Sequence, residues 1–539
     1  MTDLQKARSE FDPKLPKILK NQLTAKSQDV LELDQECAAE LKEAFPHTYA
    51  NPLLNFVSGE SPSRPLKVGA VFSGGQAAGG HNVLSGLFDA LKKFHPESQL
   101  YGFIGGPRGL FIDSYTEITS EILDPYRNQG GFDLIGSGRD KIEKPEQFEA
   151  TAQVVKNLGL DGVVIIGGDD SNTNAAFLAE YFLQHNIDCQ VVGVPKTIDG
   201  DLTNQFIEMS FGFDSACKTY SEIIGNIARD ALSAGKYYFF IKLMGRSASH
   251  IALECALQTH ANYTLIGEEV QKEEKTLQEI VNDIADLICE RADKNKNYGV
   301  ILIPEGIVEF IPEIKTLISE LNHLLAEKSD QTPESIKEHF SSHSRECYQT
   351  LPLEIQAQLL KDRDPHGNVQ VSKIESDRLL LQMVRTELKK RGQKYQGKFS
   401  AQPYFCGYEG RSGLPSNFDT QYCYALGYVA ALLIEQKKTG YMACVTHLDQ
   451  PVEEWGILGI PLVPLMCKEM RKGKMKIVIR KALVDLDGPV FAEFKRLRQD
   501  WRCQDAYVYP GPIQFFGDAI LTDSVTETLR LKNRKASWV

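Results

Sequence analysis

The sequence predicts an α/β fold with a mainly parallel sheet, divided into two domains with added segments. Short runs rich in Val and Ile recur along the chain, as at Val163–Ile166, and such runs suit strands buried on both faces. Amphipathic helical patterns stand between them, and strands alternating with helices at this spacing imply βαβ units. The 539 residues exceed what one hydrophobic core usually supports.

In chain order, residues 1 to about 66 are polar and read as helical, with Pro13, Pro16, Pro46 and Pro52 as breakers, and Ser61 to Pro65 reads as a linker. A strand–turn–helix unit starts at Lys67. Its strand is Val68–Phe72, its turn Ser73-Gly74-Gly75, and its helix carries Val83, Leu84, Leu87 and Leu91. Further strands are expected at Leu100 to Ile104, Val191 to Val194, Tyr237 to Leu243, Thr264 to Ile266 and Val300 to Ile303. Helices are expected at Cys217 to Leu232, Ser249 to Leu257 and Leu277 to Cys289. From about 310 to 400 the pattern turns charged, helical and strand-poor (Ile314 to Glu327, Leu351 to Leu360, Asp377 to Lys390), which predicts a helical insertion.

Composition narrows the function. Apolar residues make up 42% and charged residues 24%, ordinary for a globular protein. The net charge of −12 argues against nucleic acid or an acidic membrane surface as the main partner. No run approaches the ~18 apolar residues of a membrane span. The N-terminus lacks the apolar core of a secretory signal. The 11 cysteines are scattered without a Cys-x-x-Cys pair, which suits reduced thiols in a cytoplasm.

The chemistry concentrates at strand ends. Gly167-Gly168-Asp169-Asp170-Ser171 closes the Val163–Ile166 run and leads into a helix pattern with Ala175, Ala176, Leu178, Ala179 and Phe182. Two glycines allow a sharp turn close to a ligand. Carboxylates beside a helix start mean a cap or a bound metal. The first loop, Ser73 to Asn82, is glycine-rich and opens a helix, so its N–H groups can approach an anion. It lacks the Gly-Lys-Ser/Thr of a Walker A loop, and its spacing does not fit Gly-x-Gly-x-x-Gly. Pro195 to Asp201 places Lys196, Thr197, Asp199 and Asp201 on one short loop, which reads either as a catalytic loop or as a solvated Asp-Gly turn. Met244-Gly245-Arg246, Pro304-Glu305-Gly306 and Tyr408-Glu409-Gly410-Arg411 add arginines, a carboxylate and a phenol at similar places. His81 and His250 at helix starts carry no assigned role, and Cys217, Cys255 and Cys423 read as core.

Taken in order, these loops resemble the phosphofructokinase family, in particular its long pyrophosphate-dependent branch, from about Val68 to about Gly440. Gly105 to Leu110 and Gly136 to Arg139 also look like family segments. The resemblance implies two Rossmann-like three-layer αβα domains. These would be a larger donor domain at 67–209 plus about 412–510 and a smaller sugar phosphate domain at 210–411, with an N-terminal extension at 1–66 and a tail at 511–539. It implies reversible phosphoryl transfer from pyrophosphate to fructose 6-phosphate with Mg2+, in a cytoplasmic homodimer. By motif, Gly75 is similar to the pyrophosphate-contacting glycine, Asp169 to the metal carboxylate and Asp199 to the base. Thr197 and Ile198 flank that base. Met244, Gly245, Arg246, Glu305, Tyr408 and Arg411 are similar to sugar phosphate contacts, and Lys236 and Tyr237 to residues that reach a neighbouring subunit. ATP-using relatives carry glycine where Asp170 stands, so Asp170 is expected to repel the α-phosphate of ATP. Lys196 is expected to supply a cation to pyrophosphate. Ala78 and Thr203 depart from the family pattern, where proline and a basic residue are expected. Three rival readings are an ATP-dependent phosphofructokinase, a non-catalytic regulatory subunit of the same fold, and a nicotinamide-cofactor dehydrogenase.

Overall fold

The computed structural model describes residues 2–59, 64–327, 333–361, 369–471 and 474–532. Its strands, in chain order, are β1 Leu23–Val30, β2 Pro52–Ser58, β3 Lys67–Phe72, β4 Gln99–Phe103, β5 Tyr115–Ile118, β6 Gly162–Gly167, β7 Gln190–Pro195, β8 Tyr237–Leu243, β9 Tyr263–Thr264, β10 Tyr298–Pro304, β11 Ala401–Cys406, β12 Tyr441–Thr446, β13 Gly456–Pro461, β14 Met466–Arg471 and β15 Lys474–Ile479. The chain divides into two compact units. The first comprises Met1–Ala216, Tyr408–Ala482 and Ile513–Val525, and the second Cys217–Gly407, Leu483–Pro512 and Thr526–Val539.

The first unit is built on a nine-stranded sheet ordered β1-β2-β13-β12-β7-β6-β3-β4-β5. Its centre is parallel: β12, β7, β6, β3 and β4 pair in one direction. Every residue of β6 and β7 is buried, which is why Val and Ile fill them. At about 1.5–3 kcal/mol for each buried aliphatic side chain, these two strands anchor the unit. The helices Gly80–Phe94 and Asn417–Glu435 cross in close contact. A Cβ on Gly86 would stand 2.0 Å from the Tyr424 carbonyl oxygen, and one on Gly427 2.3 Å from that of Val83. Only two glycines let these backbones approach so closely.

The N-terminal 66 residues differ from the helical reading. They hold the short helices Asp3–Ser9 and Ala38–Ala44, but also β1 and β2, which extend the sheet edge by antiparallel pairing through β13. As the edge strand, β1 has most of its residues exposed, so no apolar alternation marks it. Ser61, Pro62 and Ser63 of the expected linker lie outside the described residues.

The second unit holds a four-stranded parallel sheet ordered β11-β8-β10-β9. Its core joins Ile301 and Ile303 of β10 to Ile280, Ile284 and Ile288 of the helix Leu277–Asp293. Leu317, Leu321, Leu380 and Val384, from the helices Pro312–Glu327 and Ser376–Arg391, belong to the same cluster. The strand expected at Thr264 to Ile266 is shorter and earlier, because Ile266 caps the helix Gly267–Lys272. Leu483–Pro512 groups with this unit and not with the larger domain expected at 412–510. The helix Pro489–Cys503 explains this, since Trp501 O accepts from Asn262 Nδ2 at 2.9 Å and Arg498 forks onto Glu269 at 2.6 and 2.7 Å.

Candidate active site

In the first unit, three loops leave the same edge of neighbouring parallel strands β3, β6 and β7, where open α/β sheets carry their ligands. They are stitched together. The Ser171 hydroxyl donates to Ser73 Oγ at 2.8 Å, and Lys196 N–H donates to the Gly167 carbonyl at 3.0 Å. Asn172 Nδ2 donates to the Gly167 and Gly168 carbonyls at 2.7 and 2.9 Å, fixing the turn into the helix Asp169–Gln184. Gly74, with φ of +88°, turns the first loop toward the third, since a Cβ there would lie 3.4 Å from Lys196 Nζ. Beside Gly75 stands the Arg411 guanidinium, 3.6 Å from where a Cβ would be. Arg411 also lies over the Tyr408 ring, and Tyr408 is 70% exposed.

The two adjacent aspartates have different surroundings. Asp170, 44% exposed, pairs with Lys141 at 3.1 Å. The Asp169 carboxylate stands 3.8 Å from Lys481 Nζ, and that ammonium stands 3.7 Å from Asp201. Lys196 is buried, and burial pulls its pKa down to about 8 despite the opposing charge of Asp199. Burial also pushes the Asp201 carboxyl up to about 6, helped by Asp199, while Lys481 works the other way. The turn between them needs Gly200, whose φ is +74°. Asp199 N–H donates to Thr197 Oγ1 at 3.1 Å, and Ile198 is buried against the loop.

The second unit gathers its own set. Met244, Gly245 and Arg246 follow β8, and Glu305 follows its parallel neighbour β10. Glu305 is buried and its N–H donates to the Leu243 carbonyl at 2.8 Å. A Cβ on Gly306 would lie 1.8 Å from the Arg246 carbonyl oxygen, so the two loops touch backbone to backbone. Lys236 and Tyr237 stand apart at the start of β8, with Lys236 Nζ over the Tyr237 ring and Tyr237 at φ +74°. That left-handed backbone is uncommon for an aromatic residue and costs strain.

The structure thus brings Gly75, Asp169, Asp170, Lys196, Thr197, Ile198, Asp199, Tyr408 and Arg411 into one unit. Lys236, Tyr237, Met244, Gly245, Arg246 and Glu305 fall in the other. Tyr408 and Arg411 therefore belong with the glycine-rich first loop and not with the expected smaller domain ending at 411. Sequence reasoning missed Lys141 and Lys481 as partners of the two aspartates. Lys141 follows closely on Gly136 to Arg139, a signal that was available; Lys481 carries no local signal. His81 is buried, accepts Leu134 N–H at 3.3 Å and meets the Gln129 carbonyl at 3.2 Å. Burial drops its pKa to about 4, so it serves structure as a neutral side chain.

The sequence model described as Phosphofructokinase matches residues 67–434, which carry all of these loops up to Arg411. The chain belongs to the phosphofructokinase family. This member is 49% identical to the pyrophosphate–fructose 6-phosphate 1-phosphotransferase of Porphyromonas gingivalis, over 98% of both chains. It is 52% identical to subunit beta 1 of the Arabidopsis thaliana enzyme of that name, over 92% of this chain and 88% of the relative. Among solved structures, the pyrophosphate-dependent phosphofructokinase of Nitrosospira multiformis superposes with a TM-score of 0.55 at 14% identity, covering 87% of this chain and 97% of that one, a likeness of fold.

Proposed function

We propose that this chain is a pyrophosphate-dependent phosphofructokinase. It would transfer a phosphoryl group between pyrophosphate and the 1-hydroxyl of fructose 6-phosphate, giving fructose 1,6-bisphosphate and phosphate, and would work in both directions. The names of relatives matched over nearly the whole chain support this reading. The observation that carries it is the separation of the two aspartates onto different cations, Asp170 onto Lys141 and Asp169 beside Lys481. Asp170 would oppose the α-phosphate of ATP by its bulk and by whatever charge the half-exposed Lys141 pair leaves unscreened, while Asp169, beside Lys481, would serve as the metal carboxylate.

Magnesium fits the residues present. Among the described residues, no three His, Cys, Asp or Glu side chains converge as a cage. Mg2+ does not require one, because it is commonly held by one or two carboxylates, waters and substrate phosphates. Asp169 would be its carboxylate, and the bound ion would neutralise charge on the transferring group.

The rest falls to the chain. Lys196 and the backbone of Gly75 would hold pyrophosphate. Asp199 would accept the proton of the sugar hydroxyl as it attacks phosphorus, and return it in reverse. Because such a transition state is loose, positioning and charge neutralisation supply most of the rate. Met244, Gly245, Arg246 and Glu305 would bind the sugar phosphate, and Lys236 with Tyr237 would reach a second copy in a homodimer. None of the 11 cysteines is joined in a disulfide, which supports a reducing, cytoplasmic setting.

The test incubates purified protein with fructose 6-phosphate, Mg2+ and pyrophosphate and follows fructose 1,6-bisphosphate and phosphate. Equal release of both is expected. Release of phosphate without the bisphosphate, or turnover with ATP alone, would overturn the reading.

A further inference from the structure

Lys481 lies beyond residue 434, where the match to the family ends, yet it reaches the loops that the family match contains. Its backbone is pinned on both sides. Just before it, Ile479 N–H donates to Thr173 Oγ1 at 2.9 Å, and that same hydroxyl donates to the Asp169 carbonyl at 2.8 Å. Just after it, Ala482 N–H donates to the Asp201 carbonyl at 2.7 Å. The segment 479–482 is therefore tied to the helix that begins at Asp169 and to the loop that carries Asp201. The Lys481 side chain, 21% exposed, lies between the two carboxylates at 3.8 and 3.7 Å. Both ion pairs are longer than a direct hydrogen bond, so the ammonium is shared and committed to neither.

We propose that Lys481 is a resident cation of the donor site, a positioning residue that holds the Asp169 and Asp201 carboxylates in one place and yields Asp169 to the divalent metal. The inference rests on the reading of Asp169 as the metal carboxylate. Two carboxylates this close to one ammonium would repel each other without it, and partial burial strengthens that repulsion. With a metal on Asp169, Lys481 would shift toward Asp201, so its charge would compete with the metal for the Asp169 carboxylate. Lys481 thus sets how much Mg2+ the free protein needs.

The experiment titrates Mg2+ alone, without pyrophosphate or sugar phosphate, and follows the thermal unfolding midpoint of wild type, Lys481→Met, Lys481→Gln and Lys481→Arg. Removing the charge is expected to lower the metal-free midpoint. It is also expected to reduce the Mg2+ concentration for half-maximal stabilisation at least fivefold in both the Met and Gln variants. The Arg variant, which keeps the charge, is expected to stay within twofold of wild type. An unchanged or weaker Mg2+ response in the Met and Gln variants overturns the proposal. Wild-type turnover with pyrophosphate is measured alongside. An active wild type with unaltered Mg2+ titrations in the variants removes Lys481 alone, whereas an inactive wild type removes the reading of the site on which it rests.

Discussion

At the scale of single residues, burial sets the charge that the donor site can use. Lys196 keeps its proton only up to about pH 8 because its ammonium is desolvated. An anion binds the protonated form better, so affinity falls as pH rises through that value. Between pH 7 and 9 the protonated fraction drops from about nine-tenths to about one-tenth. The KM for pyrophosphate is therefore expected to rise at least fivefold over this range, in steady-state assays at fixed Mg2+. Lys196→Arg, which stays charged throughout, should flatten that rise. The same side chain could be picked out in the sequence, because Pro195 to Asp201 follows a Val-rich strand. Its depressed pKa could not, since that depends on how deeply the loop is covered.

At the scale of elements, the strands that sequence made plain are those buried on both faces, β6 and β7 above all. β1 escaped because an edge strand with one covered residue leaves no periodic trace. The hairpin β14–β15 escaped for a related reason. Its strands mix Lys, Glu and Met, and its pairing with the helix after Asp169 is a long-range contact. Loop geometry in the second unit is sharper than its sequence suggested. Pro304-Glu305-Gly306 reads as a strand-end turn, yet Gly306 is also the point where the Arg246 loop rests. Gly306→Ala would put a Cβ 1.8 Å from the Arg246 carbonyl oxygen and force that loop back by roughly 1.6 Å to reach ordinary van der Waals contact at about 3.4 Å. Its expected effect is a KM for fructose 6-phosphate raised about tenfold, with the KM for pyrophosphate changed less than twofold. Kinetics with each substrate varied in turn would check this, and equal effects on both would count against the assignment of these loops to the sugar.

At the scale of the molecule, distant segments complete each unit. The N-terminal Arg8 is buried, donating to Asn417 Oδ1 at 2.6 Å, the Pro415 carbonyl at 3.0 Å and Thr420 Oγ1 at 2.8 Å. Its guanidinium also lies 4.2 Å from the Phe515 ring centroid. One side chain thereby joins three separate stretches of the first unit. Arg8→Met is expected to cost about 2–4 kcal/mol, the loss of several charge-assisted hydrogen bonds, read as a lower urea midpoint. This joining role was invisible in a polar N-terminus that offered only helix breakers and charges. The long-range placement of Lys481 was hidden in the same way. By contrast, the order of the loops along the chain was legible throughout, and it carried the resemblance to the family that the match over residues 67–434 establishes.

Donor choice is the claim on which the rest depends, and it concentrates in Asp170. The decisive measurement is the ratio of kcat/KM for pyrophosphate to kcat/KM for ATP, with fructose 6-phosphate and Mg2+, in wild type and in Asp170→Gly. Wild type should use pyrophosphate and show no measurable rate with ATP. The variant should lose at least a hundredfold with pyrophosphate and gain a measurable rate with ATP. A ratio that does not move in Asp170→Gly, or a wild type that prefers ATP, would contradict the role assigned to this carboxylate.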